Sequence, residues 1–93
     1  MQKRIRLKSN FSLGISDSED FYVPSDMTTV GELLQYISDE IDLPLISADL
    51  VDLRRDIEVI MNGKDIWFCA HRLKTPLADG DSVEIYLVPL GGG

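Results

Sequence analysis

The residues best suited to chemistry are the last three, Gly91-Gly92-Gly93, which carry the terminal carboxylate on an arm without side chains. A carboxylate is a poor electrophile, so forming a new bond at it requires activation, and an arm without side chains suits entry into a narrow site. Three extended residues span about 10 Å. Glycine suits such an arm because, lacking a Cβ, it lets surrounding backbone approach closely, although ordering it costs more conformational entropy. Pro89 stiffens the base of the arm and Leu90 offers an apolar anchor. Taken alone, three glycines also fit a flexible terminus or an expression scar.

Other reactive residue types have simpler readings. The single cysteine, Cys69, has no partner for an internal disulfide, a cysteine-based zinc site or a four-thiolate cluster. It stands beside Trp67 and Phe68 and reads as an inert thiol. His71 is flanked by Arg72, lacks a paired ligand or nucleophile, and reads as a loop histidine. Asp79, Asp81 and Glu84 lack the spacing of a calcium loop, and turn formation accounts for Asp79-Gly80-Asp81. No metal site is expected.

The elements that must position the tail follow from length and pattern. With 93 residues, 44% of them hydrophobic, the chain fits one domain of ordinary globular composition. No window approaches a membrane span, and the N-terminus leads into a strand-like pattern instead of a signal peptide, so a cytoplasmic address and no membrane contact are expected. The formal charge of −7, from 16 acids against 9 bases, disfavours nucleic-acid binding and permits docking onto a basic partner; it also simply favours solubility.

From Lys3 to Ser9, Ile5 and Leu7 alternate with Arg4, Arg6 and Lys8, which predicts a half-buried strand whose basic outer face is solvated and discourages edge pairing. A polar loop from Asn10 to Asp20 leads to a second strand over Glu19 to Val23, stopped by Pro24. Thr29 and Glu32 form a capping box, and Val30, Leu33, Leu34, Ile37 and Ile41 make an apolar stripe, which predicts a helix from Val30 that needs a sheet to cover it. Asp42-Leu43-Pro44 ends the helix. Ser47 to Arg55 admits a short second helix with Leu50, Val51 and Leu53 facing inward.

Ile57 to Met61 is a strand, Asn62-Gly63 a tight reversal with positive φ, and the chain returns through Lys64 to Phe68. After the Asp79-Gly80-Asp81 turn comes a last strand over Ser82 to Val88, with Val83, Ile85 and Leu87 inward. Tyr86 and Val88 fall on the opposite face and are candidates for a partner-binding patch. The order of elements predicts an α+β fold in which a mixed sheet of four to five strands covers one main helix. Residues 1–88 would form the domain and residues 89–93 a freely projecting tail.

Two segments, Val59-Ile60-Met61-Asn62-Gly63-Lys64-Asp65-Ile66 and Thr75-Pro76-Leu77-Ala78-Asp79-Gly80-Asp81-Ser82-Val83, followed by Pro89 and the terminal glycines, resemble the MoaD/ThiS family of ubiquitin-like sulfur carriers. The likeness is sharper to MoaD, the small subunit of molybdopterin synthase, and covers roughly the last 40 residues, the N-terminal half matching mainly in pattern. It implies the β-grasp fold, with the first and last strands parallel and adjacent at the centre.

It further implies a carrier that is not itself catalytic and binds no cofactor. An adenylating partner of the MoeB/ThiF type, which resembles ubiquitin-activating enzymes, would use ATP to form an acyl-adenylate at the tail. Conversion to a thiocarboxylate would let the tail donate sulfur to the large subunit of molybdopterin synthase or an equivalent acceptor. The family tail ends in two glycines and this one in three. Counted from Asp81, the pair falls on Gly91-Gly92, so the reactive end is Gly93, or Gly92 if the chain is trimmed. Two alternatives stay open: a protein modifier joined through its C-terminus to target lysines, and a β-grasp interaction module whose tail is incidental.

Overall fold

The alternation at the N-terminus becomes strand β1, Gln2–Ser9, which buries Ile5 and Leu7 and exposes Arg4, Arg6 and Lys8. The computed structural model describes residues 2–10, 20–24 and 26–88. Within them follow β2 (Asp20–Pro24), helix α1 (Val30–Ile41), β3 (Ile57–Met61), β4 (Lys64–Asp65) and β5 (Ser82–Leu87). The sheet order is β2-β1-β5-β3-β4, with β1 and β5 parallel and every other pair antiparallel. This is the expected α+β, β-grasp arrangement. It also corrects one reading of β1: the strand lies between β2 and β5, so its basic residues guard no edge. Pro24, which has no N–H to donate, sits instead at the end of the edge strand β2.

The core is the apolar side of this sheet closed by one helix face. Ile5, Val23, Val30, Leu33, Leu34, Ile37, Leu45, Ile66, Val83 and Ile85 are fully enclosed. Ile41, the last residue of the predicted stripe, packs against that cluster only in part. Among the described residues no helix is long and apolar enough to cross a membrane.

Thr29 caps α1 as predicted, its Oγ1 accepting from the Glu32 amide at 3.2 Å. The return half of the box is shifted by one residue: Glu32 Oε1 accepts from the Thr28 hydroxyl at 2.8 Å and the Thr28 amide at 3.3 Å. The Thr28 hydroxyl, more than any other contact, holds the Glu32 carboxyl below its ordinary range. A depressed folded value makes this contribution complete above the unfolded value of about 4.3, and it is lost as pH falls through the folded value. Glu32→Gln should therefore destabilise the neutral protein by less than about 1 kcal/mol, as for other exposed charge contacts. It should also remove part of the acid-induced loss, as urea denaturation at neutral and acid pH would read.

The helix stops at Asp42, which takes a left-handed conformation (φ 55°) and returns its amide to the Ser38 carbonyl. Ser38 is the one polar side chain found buried among the described residues. Its hydroxyl donates to the Leu34 carbonyl at 2.8 Å and accepts from the Leu45 amide at 2.9 Å, tying the chain after the helix back onto it. Sequence pattern alone had placed no role on it.

Two segments depart from expectation. Ser47 to Arg55 forms a tight loop instead of a second helix: Ser47 Oγ donates to Asp49 Oδ1 at 2.6 Å and accepts from the Asp52 amide at 3.1 Å, while Ile46 and Leu53 form an isolated antiparallel bridge. Short polar side chains here satisfy backbone groups that a helix would have used. Leu50 and Leu53 pack partly on the core, but Val51 faces solvent. The return from Asn62-Gly63 is likewise short. Asp65 Oδ1 accepts from the Trp67 amide at 2.9 Å and turns Ile66–Phe68 into a 3-10 turn, burying Ile66 and exposing Phe68.

The reversal itself follows the sequence. Asn62 (φ 53°) and Gly63 (φ 84°) both take positive φ, as the two-residue hairpin between the paired residues Met61 and Lys64 requires. A Cβ on Gly63 would meet nothing within 4 Å, so the penalty of a side chain is purely conformational. Gly63→Ala should cost about 1–2 kcal/mol in denaturant unfolding, whereas relief of that cost by a D-alanine at the same position would isolate φ as the cause.

Candidate functional site

The candidate site begins where β5 ends, and it depends on how β5 is held at both ends. At its start, the Thr75 to Val83 segment wraps the domain. The Val30 amide donates to the Thr75 carbonyl at 3.0 Å and the Leu77 amide to the Thr28 carbonyl at 2.8 Å, which pins this segment to the N-terminus of α1. Leu77 is buried. Asp79 Oδ1 then accepts from the Arg4 amide at 2.7 Å and the Gly80 amide donates to the Arg4 carbonyl at 2.7 Å, docking the turn onto β1.

Asp81 closes the arrangement. Its Oδ2 accepts from the Ala78 amide at 2.7 Å and its Oδ1 from Asn62 Nδ2 at 3.1 Å, while Asn62 Oδ1 accepts from the Ser82 amide at 2.8 Å. The Asn-Gly and Asp-Gly-Asp segments, 19 residues apart in sequence, are thus one hydrogen-bonded unit that sets the first residue of β5. Their carboxylates are occupied by this bonding. Among the described residues no group of three or more His, Cys, Asp or Glu side chains is placed to hold a metal ion.

From there β5 runs through the middle of the sheet. Val83 pairs with Leu7 and Met61, and Ile85 with Ser9 and Val59, and both inward side chains are fully buried. Leu87, expected inward with them, is 38% exposed. The reason lies in its neighbours: it faces Ile57 on β3, but β1 has ended at Ser9 and supplies no backbone partner. A side chain takes that place. Asn10 Nδ2 donates to the Leu87 carbonyl at 2.9 Å and Asn10 Oδ1 accepts from the Leu87 amide at 2.8 Å. On the other side the Val88 amide donates to the Asp56 carbonyl at 2.8 Å, and Asp56 is itself paired with Arg54 Nε at 2.8 Å. Neither Asn10 nor Asp56 carried any local sequence signal for this role.

The expected arm, Pro89, Leu90, Gly91, Gly92 and Gly93, lies outside the described residues, which end at Val88. The candidate partner-binding residues are both described. Tyr86 is half-buried on the outer face of the sheet, opposite Glu58, and its hydroxyl donates to Glu84. The bond to Glu84, then burial, then the charge of Glu84 and of Glu58 raise the phenol above its ordinary value. Val88 is half-buried and follows the last strand residue.

Register divides that outer face by charge. β1 presents Arg4, Arg6 and Lys8; Lys8 stands beside Glu84 of β5, and Tyr86 stands beside Glu58 of β3. Tyr22 of β2, opposite Arg4, is 56% exposed at the basic side. Cys69 and His71 lie far along the chain from β5's exit, in the turns after β4; the Cys69 thiol is half-buried and directed at the Asp65 carbonyl at 3.7 Å.

Comparison with known proteins agrees with this architecture. The family model of the ThiS family matches residues 15–93. Comparison with curated proteins gives no match. Among solved structures, the Haloferax volcanii HVO 2177 protein superposes with a TM-score of 0.70 at 23% identity, over 98% of this chain and 88% of that one. The small archaeal modifier protein 1 (SAMP1) of Methanosarcina acetivorans gives 0.65 at 19%, over 100% and 99%. The putative molybdopterin converting factor, subunit 1, of Pyrococcus furiosus gives 0.60 at 18%, over 94% and 99%. At these identities the structures speak for the fold, and the family match, running through the glycine tail, speaks for descent: the chain belongs to the ThiS family.

Proposed function

We propose that this chain is a sulfur carrier whose C-terminal glycine, Gly93 or a trimmed Gly92, is adenylated by a partner and converted to a thiocarboxylate. The observation that carries this reading is the hold on β5. The strand that leads into the tail is central, bonded on both sides, and fixed at its start by the Asn62–Asp81 unit and at its end by Asn10 and Asp56. A rigid base of this kind directs a side-chain-free arm, which is what delivery of a carboxylate into a foreign active site requires.

The chemistry needs no catalytic side chain from the carrier. The terminal carboxylate attacks the α-phosphorus of ATP on the adenylating partner and pyrophosphate leaves. Hydrosulfide (HS−) then attacks the acyl carbon, the bond to the AMP oxygen breaks and AMP departs, leaving the thiocarboxylate. The partner is expected to be of the MoeB/ThiF type, and the sulfur acceptor a molybdopterin-synthase large subunit or an equivalent. The likeness to the Pyrococcus furiosus molybdopterin converting factor supports that choice of pathway. Tyr86 and Val88, with the charged columns on β1, β5 and β3, would form the docking face.

A second reading, conjugation of the tail to lysines of target proteins, is favoured by the likeness to the Methanosarcina acetivorans modifier. Both begin with the same adenylate, so the test must follow its fate. Intact-mass measurement after incubation with the activating enzyme, ATP and a sulfur source separates them. A gain equal to the replacement of one oxygen by sulfur supports the carrier. Adducts of the chain on other proteins, without that gain, support the modifier and overturn the first reading.

A further inference from the structure

We infer that Asn10 is a positioning residue for the tail: its side-chain amide acts as one more strand residue and fixes Leu87, the last strand residue before the tail. The inference rests on the carrier reading above. Backbone pairing between β1 and β5 ends at Ser9 and Ile85. The next amide of β5 directed to that side belongs to Leu87, and Asn10 meets both its N–H, at 2.8 Å, and its carbonyl, at 2.9 Å. An Asn side chain carries one carbonyl and one NH2, the same donor and acceptor set as a peptide unit, so one residue makes both bonds that a continued strand would supply.

The burial pattern shows why a clamp is needed here. Leu87 is 38% exposed, against full burial of Ile85 two residues earlier, so packing holds the strand less firmly here. On the β3 side the Asp56 carbonyl still takes the Val88 amide. With Asn10 in place Leu87 is bonded on its β1 side and Val88 on its β3 side, so the base from which the tail enters a partner is fixed. Without Asn10, Leu87 is held on its β3 side alone, the base of the tail loosens, and the partner must order it on binding. Such a loss is felt equally in the ground state and the transition state, so it raises KM and leaves kcat unchanged.

The test uses the full chain and its purified adenylating enzyme, with ATP consumption as the kinetic readout and amide hydrogen exchange as the structural one. Asn10→Ala should speed exchange at Leu87 about tenfold while leaving Ile85 unchanged. KM for the chain should rise about tenfold, equivalent to about 1.4 kcal/mol, with kcat unaltered. Asn10→Asp, which keeps the acceptor for the Leu87 amide and loses the donor, should fall between wild type and Asn10→Ala in both measurements. Unaltered exchange at Leu87, an unaltered KM, or a fall in kcat at constant KM would each overturn the inference. Failure of the clamp alone leaves wild type and Asn10→Ala adenylated with the same KM. A wild-type chain that is never adenylated fails the carrier reading itself, and the two results are distinct.

Discussion

Removal of Gly92 and Gly93 is expected to lower adenylation by at least about a hundredfold while leaving the domain as stable as before. Two extended residues span roughly 7 Å, and an error near 1 Å in the placement of a reacting group already costs about a hundredfold. No compensating shift is available from the base of the arm, because Leu87 and Val88 are tied to Asn10 and Asp56. Stability should not follow, since the inward core residues of β5 are Val83 and Ile85. Pyrophosphate exchange with the adenylating enzyme reads the first quantity and thermal unfolding the second. Removal of Gly93 alone assigns the reactive end: full activity identifies Gly92, and a loss comparable to the double truncation identifies Gly93. A full-length chain that supports no pyrophosphate exchange, and whose binding to partners is undiminished by the double truncation, would instead be an interaction module with an incidental tail.

The second large effect is on folding. Ile85 is fully buried at the centre of the sheet, between Ser9 on β1 and Val59 on β3. Ile85→Ala should cost about 2–5 kcal/mol through lost burial and the cavity left behind. A domain of this size has roughly 5–15 kcal/mol of stability in total, so the midpoint of thermal unfolding should fall by roughly 10–30 °C. Leu87→Ala, two residues along the same strand, is the internal control. Its side chain is already 38% exposed, and the change should cost less than about 1 kcal/mol. Equal losses at the two positions, followed by circular dichroism on heating, would contradict the boundary of the core drawn here.

That contrast shows where reading the sequence succeeds. The Thr29 cap, the stripe from Val30 to Ile37 and the Asn62-Gly63 reversal are set by groups within a few residues of each other, and each was legible. Where sequence and structure part, a competing contact explains it. Alternation alone carried Leu87 inward, but alternation does not report that the neighbouring strand stops at Ser9. Apolar spacing allowed a helix from Ser47 to Arg55, but Asp49 Oδ1 accepts from the Ser47 hydroxyl and the Val51 amide, and Ser47 Oγ accepts from the Asp52 amide, which took precedence. The basic face of β1 read as edge protection until pairing with both β2 and β5 made it an interior strand.

The terminal glycines raised the question of function, and the motifs upstream carried the resemblance to the family; these were available from residue types and spacing alone. Tertiary structure decided what the motifs do. Asp79, Gly80, Asp81 and Asn62 align the start of β5, roughly 20 Å of strand away from the tail they foretell. It also decided which residues hold the tail's base. Asn10 and Leu87 are 77 positions apart, and no local pattern records a hydrogen bond over that distance. A strand's period comes from its own backbone, whereas its neighbours come from the packing of the whole chain.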